Sequence, residues 1–168
     1  MRTLVAVVGS DADDARLSPR TLTVAEEIGG GIARHGGILV CGGRGGVMEA
    51  ACKGARAHHG VTVGILPEAK EEANEFVDIP LPTGLGMRRN FIVAYAADVV
   101  IAIGGRWGTL SEISFAMIFQ RPVVLVEGTG GCVDELVRGN LMKESEMRWI
   151  VAHSSEDAVE KAFFCCSK

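Results

Sequence analysis

Short runs of aliphatic and β-branched residues recur along the chain at Leu4 to Val8, Ile38 to Cys41, Val61 to Leu66, Val99 to Ile103, Val123 to Val126 and Trp149 to Ala152. Longer stretches of mixed apolar and polar residues separate them: Ser18 to His35, Val47 to His59, Met87 to Ala97, Thr109 to Gln120, Val133 to Arg138 and Glu156 to Phe164. The first set predicts strands and the second helices, and their alternation is the βαβ rhythm of an α/β fold. The strand runs show almost no polar alternation, as expected when helices cover both faces of a parallel sheet. A doubly wound, mainly parallel sheet follows.

The segment ends carry matching signals. Ser18 and Pro19 place a capping hydroxyl before a first-turn proline, and Gly36 and Gly37 stop the helix that they end. Gly29, Gly30 and Gly31 fit a helix badly, each costing about 1 kcal/mol relative to Ala; close packing on the sheet, or a break, would explain them. The acidic, proline-bearing stretch Glu68 to Pro82 reads as an exposed connector with a short strand around Phe76 to Ile79, and as a possible lid. With no repeat, linker or low-complexity tract, the 168 residues read as a single domain, 1–168.

Composition narrows the function classes. A net charge of −4 supplies no basic field for nucleic acid or an anionic membrane. The apolar N-terminal run is too short for a signal peptide, and no stretch approaches the length of a membrane span, so a cytoplasmic protein is expected. Cys41, Cys52, Cys132, Cys165 and Cys166 show no CxxC pair and no zinc spacing, and read as reduced thiols with no metal.

The 22 glycines are more than the ~7% of an average domain, and they cluster where strands give way to helices. In a parallel sheet those turns share one rim, where ligands bind. Four segments reach it: Gly9 to Asp14, with Gly9 and Ser10 at its start; Gly42, Gly43, Arg44, Gly45 and Gly46; Gly84 to Asn90; and Gly104, Gly105, Arg106, Trp107, Gly108 and Thr109. Glycines let backbone N–H groups approach an anion at a helix N-terminus. The first glycine-rich turn is neither GxGxxG nor a P-loop, and either turn can be purely conformational. Thr109 and Glu112 also fit T-x-x-E spacing, a capping box. Arg88 and Arg89 in a first helical turn oppose the dipole; either a negative partner, a phosphate or Glu112, compensates them, or they are solvated surface arginines.

Met87-Arg88-Arg89-Asn90, Ala97-Asp98 and Gly104 to Glu112 resemble the paired-arginine and PGGxGTxxE motifs of the LOG family, long labelled lysine decarboxylases, and Cys41 to Met48 resembles its other glycine-rich turn. The resemblance covers roughly Leu4 to Val126 and implies a Rossmann-like homodimer. In the enzymatic branch it implies cleavage of the N-glycosidic bond of cytokinin nucleoside 5′-monophosphates by Arg89 and Glu112, with no cofactor. Gly104, Arg106 and Asn90 depart from that branch, replacing proline, glycine and lysine. The GGRGGVMEA and GGxxGTLSE forms are closer to the branch that includes molybdenum cofactor carrier proteins, which hold a phosphate-bearing pterin without consuming it.

Three readings stand: a carrier for an AMP-like nucleotide or molybdopterin-type ligand, a phosphoribohydrolase, and a non-catalytic scaffold. Decarboxylation is disfavoured because no lysine stands out as a pyridoxal phosphate anchor. The expected phosphate-binding set is Gly9, Ser10, Gly42 to Gly46 with Arg44, Met87, Arg88 and Gly104 to Thr109. The expected partner is a phosphorylated small molecule, with neither nucleic acid nor membrane. Phe115, Met117, Ile118 and Phe119 leave more apolar surface on one helix than a single buried stripe needs, which points to a homodimer or higher oligomer.

Overall fold

A computed structural model describes residues 1–139 and 149–167. Its strands are β1 (Leu4–Gly9), β2 (Ile38–Cys41), β3 (Val61–Leu66), β4 (Ile79–Pro82), β5 (Val99–Ile103), β6 (Val123–Val126) and β7 (Ile150–Ala152). The α-helices are α1 (Pro19–Arg34), α2 (Val47–Ala57), α3 (Asn90–Ala96), α4 (Trp107–Ile118), α5 (Gly131–Arg138) and α6 (Ser155–Cys166). All neighbouring strands pair in parallel, in the order β4-β3-β2-β1-β5-β6-β7. The order reverses at β1, so the chain winds outward first on one side and then on the other. A crevice opens at that switch point, beyond the C-terminal ends of β1 and β5.

Alternate residues of the central strands serve two cores. Val5, Val7, Leu39, Cys41, Val99, Ile101 and Ile103 pack with α1, α2 and α6, whereas Ala6, Val8, Val40, Val100 and Ala102 pack with α3, α4 and α5. Every residue of β5 is buried, which explains its unbroken apolar run. The sheet is thus Rossmann-like and doubly wound, and parallel throughout rather than mainly so.

The three glycines of α1 neither break it nor serve the sheet. A Cβ on Gly29 would strike the Ala51 carbonyl of α2, and one on Gly54 of α2 would strike the Glu26 carbonyl of α1. The two helices meet backbone to backbone, an approach that any side chain would block. The strand expected at Phe76 to Ile79 begins instead at Ile79, because Asn74, Thr62 and Asp78 hold the preceding residues in a hydrogen-bonded loop. The helix expected from Met87 to Ala97 opens as a 3-10 turn, Gly86–Arg89, before α3.

Candidate functional site

The crevice at the switch point is a cavity of about 200 Å³ lined by Gly9, Ser10, Asp11, Asp13, Arg44, Met48, Met87, Arg89, Asn90, Arg106, Gly108, Thr109 and Glu112. Four turns supply these residues, and each follows or flanks a strand of the central sheet. Charged and polar side chains share the lining with Met48 and Met87, a mixture suited to a ligand with one charged and one apolar part.

At its floor lies a buried ion pair. The Arg89 Nη1 donates to Glu112 Oε1 at 3.2 Å, with only 5% and 8% of the two side chains exposed. The same Nη1 donates to Asn90 Oδ1 at 2.6 Å, and Nη2 reaches the Gly42 carbonyl at 3.4 Å. Asn90 is in turn held by its Nδ2, which donates to the Gly108 carbonyl and to Ser111 Oγ. Arg89 Nε is buried with no partner, leaving one donor of the guanidinium uncommitted. Burial pushes the Glu112 carboxyl up to about 7 against the opposing pull of Arg89. Glu112 can thus hold or release a proton near neutrality.

Two helices begin at the cleft without a side-chain cap. α2 starts after Gly46 and α4 after Arg106, whereas Ser18 and Ser154 cap α1 and α6, which start elsewhere. The N–H groups of Trp107, Gly108 and Thr109 have no acceptor within their helix. An anion at this end gains from them and from the helix dipole.

The structure corrects the role expected of Thr109. It is the third residue of α4 rather than its cap, and its buried side chain packs against Gly105. No capping box joins it to Glu112, because Glu112 points its carboxylate at Arg89 instead. Gly104 and Gly105 lie behind the cleft. Their N–H groups donate to Thr129 Oγ1 and Ser10 Oγ at 2.9 and 2.8 Å, and their carbonyls accept from Val133 and Cys132 of α5. Gly104 and Gly105 thus orient α4, and neither of their amides is left for a ligand.

Gly42, Gly43, Gly45 and Gly46 likewise shape the wall without lining it. A Cβ on Gly42 would run into the Arg89 guanidinium, and one on Gly46 would meet the Ser10 carbonyl. Arg88 is exposed and outside the cavity. Trp107 is 84% exposed and lines a separate shallow cavity with Arg16, Leu110, Cys132 and Glu135.

Several lining or bracing residues had no expected role. Asp11 sits 3.6 Å from Arg44, and Asp13 pairs with Arg106. Asn74, from the acidic connector, donates its Nδ2 to the carbonyls of Gly43 and Arg44 at 3.1 and 2.8 Å and so braces that turn. Asp11 and Asp13 stood in a named rim segment, whereas nothing local marked Asn74.

Residues 2–159 match the SLOG cluster4 family. The chain belongs to that family. Among solved structures, this SLOG chain is similar to a molybdenum cofactor binding protein from Rippkaea orientalis, with 34% identity and a TM-score of 0.87 over 99% of this chain and 98% of that one. It is also similar to the molybdenum cofactor carrier protein of Chlamydomonas reinhardtii, with 34% identity and a TM-score of 0.85 over 100% of both chains. A cytokinin riboside 5′-monophosphate phosphoribohydrolase of Mycobacterium marinum is 28% identical over 159 residues, covering 84% of this chain and 85% of the enzyme.

Proposed function

We propose that this SLOG protein binds a phosphate-bearing small molecule of the nucleotide or pterin type in the cleft between β1 and β5 and holds it intact, as a carrier does. The carrying observation is the meeting of two helix N-termini that lack side-chain caps with Arg44, Arg89 and Arg106 in one cavity. In this reading the N–H groups opening α4, with Arg106 and Arg44, take the phosphate, and Met48 and Met87 flank the apolar part of the ligand. The likeness to molybdenum cofactor binding and carrier proteins over almost the full chain supports a pterin-type ligand.

A second reading rests on Arg89 and Glu112. A carboxyl near neutral pKa beside an arginine suits cleavage of an N-glycosidic bond, with Glu112 stabilising a cationic ribosyl centre or positioning water. The Mycobacterium marinum relative favours it. The two readings separate in one experiment, a thermal-shift titration with AMP, other nucleoside monophosphates and a pterin phosphate, with product analysis of each hit. A ligand at 100 times its Kd stabilises by about 2.7 kcal/mol. Stabilisation with intact ligand is the carrier result, released base is the hydrolase result, and no shift with any phosphate compound refutes both.

The reading extends to a homodimer formed through α3 and α4. Phe91, Tyr95, Phe115 and Phe119 form a ring cluster there, with centroids 5.1 to 6.3 Å apart, and Tyr95 and Ile118 remain more than half exposed. Five free thiols fit a reducing cytoplasm.

A further inference from the structure

The rim of the cleft is electrically balanced. Arg44 and Arg106 face Asp11 and Asp13 there, so these two pairs present no net positive charge to an incoming anion, and Arg89 and Glu112 form a third pair in the same cavity. The three pairs differ in kind. Arg89 and Glu112 are locked together in the interior, with Asn90 and Gly42 holding the arginine in place. The other two pairs bridge separate turns at the rim. Arg44 comes from the β2–α2 turn and Arg106 from the β5–α4 turn, whereas both carboxylates come from the β1–α1 turn between them.

We propose that Asp11 and Asp13 are built-in competitors that occupy Arg44 and Arg106 until a ligand phosphate displaces them. The inference rests on the phosphate-binding reading above and adds how that site is regulated. Asp11 is oriented for the task, since its Oδ1 accepts the Ala12 N–H at 2.7 Å and its Oδ2 faces Arg44. The Asp13 side chain is 75% exposed and tethered through Arg106, so little holds it once the arginine turns to another anion. Asp14, the third carboxylate of this turn, is buried against Arg16 and takes no part.

Charge balance sets the preferred ligand. A phosphate monoester carries about −1.5 to −2 charge at pH 7 and three acceptor oxygens, so it replaces two carboxylates with almost no change in net charge. A phosphodiester brings a single charge and leaves one arginine uncompensated. On release, Asp11 and Asp13 return to the arginines, which favours departure of the ligand. A protein that must hand over its cargo gains from such an exchange, at some cost in affinity.

The test is an equilibrium titration of the full chain with AMP and with inorganic phosphate, comparing the parent with Asp11→Asn, Asp13→Asn and the double variant. Asparagine keeps the shape and the Oδ1 acceptor and removes only the charge; Asp11→Ala and Asp13→Ala serve as second variants should either asparagine form fail to fold. Exchange predicts Kd lower by roughly two- to fivefold in each single variant and about tenfold in the double, the range expected for exposed ion pairs. Dissociation slows in parallel. If the parent binds and the variants bind equally or more weakly, exchange is refuted while the phosphate reading stands. If neither parent nor variants bind either probe, the phosphate reading fails and takes this inference with it.

Discussion

Glu112 sits in the interior at 3.2 Å from Arg89, and its position fixes a pH dependence. Its folded carboxyl lies at about 7, above the ordinary 4.5, so between these values the folded state holds a proton that the unfolded chain has lost. Stability from this group is complete below the ordinary value and is lost as pH rises through about 7. Denaturation midpoints should therefore fall between pH 5 and 8, and Glu112→Gln should flatten that fall. Arg89→Ala should cost about 3–5 kcal/mol at pH 8, because it leaves the buried carboxylate without its cation; urea unfolding measures this. At the same scale, the sequence named Arg89 and Glu112 from motif position, but their pairing needed the fold, since 23 residues separate them. Asn90 was legible only as a departure from lysine. In the structure its amide links Arg89 to Gly108 and Ser111, a role the neighbouring sequence does not announce.

The helices separate by how their first turns are satisfied. Ser18 and Ser154 accept N–H bonds at the starts of α1 and α6, whereas the carbonyls of Gly104 and Gly105 accept from α5. Ser154→Ala should therefore cost about 1 kcal/mol in thermal unfolding. At α2 the Ser10 carbonyl accepts the Val47 N–H at 2.9 Å, and at α4, which opens onto the cleft, no side chain caps the first turn. Gly54→Ala puts a methyl group into the Glu26 carbonyl of α1 and should destabilise by about 1–3 kcal/mol, which chemical denaturation would resolve. A Gly54→Ala protein as stable as the parent would show that α1 and α2 do not meet as described. Helix α4 shows why capping patterns mislead locally. Thr109 and Glu112 have box spacing, but α4 begins at Trp107, and burial beside Arg89 offers Glu112 a stronger partner than a backbone amide.

For the whole molecule, the strand order puts β1 between β2 and β5, so turns distant in sequence share one crevice. The proposed homodimer belongs to this scale. Sedimentation at micromolar concentration should give twice the chain mass, and Ile118→Glu should shift it to monomer by placing a charge in the apolar face of α4. A parent that sediments as monomer would remove the dimer while leaving the cleft reading untouched. Among the described residues no helix is long and apolar enough to cross a membrane.

The sequence by itself determined the α/β class, most strand positions and the rim turns, because apolar runs and glycine-marked helix ends are local signals. It also marked both partners of the buried pair. Only the tertiary structure decided which turn atoms stay free. Gly104 and Gly105 look like anion binders in sequence, yet Ser10, Thr129 and α5 consume their hydrogen bonds. Asp11 and Asp13 look like ordinary turn residues, yet the sheet order sets them against Arg44 and Arg106. Hydrogen-bond partners and opposing charges across a cleft come from chain segments tens of residues apart, and no local pattern encodes that meeting.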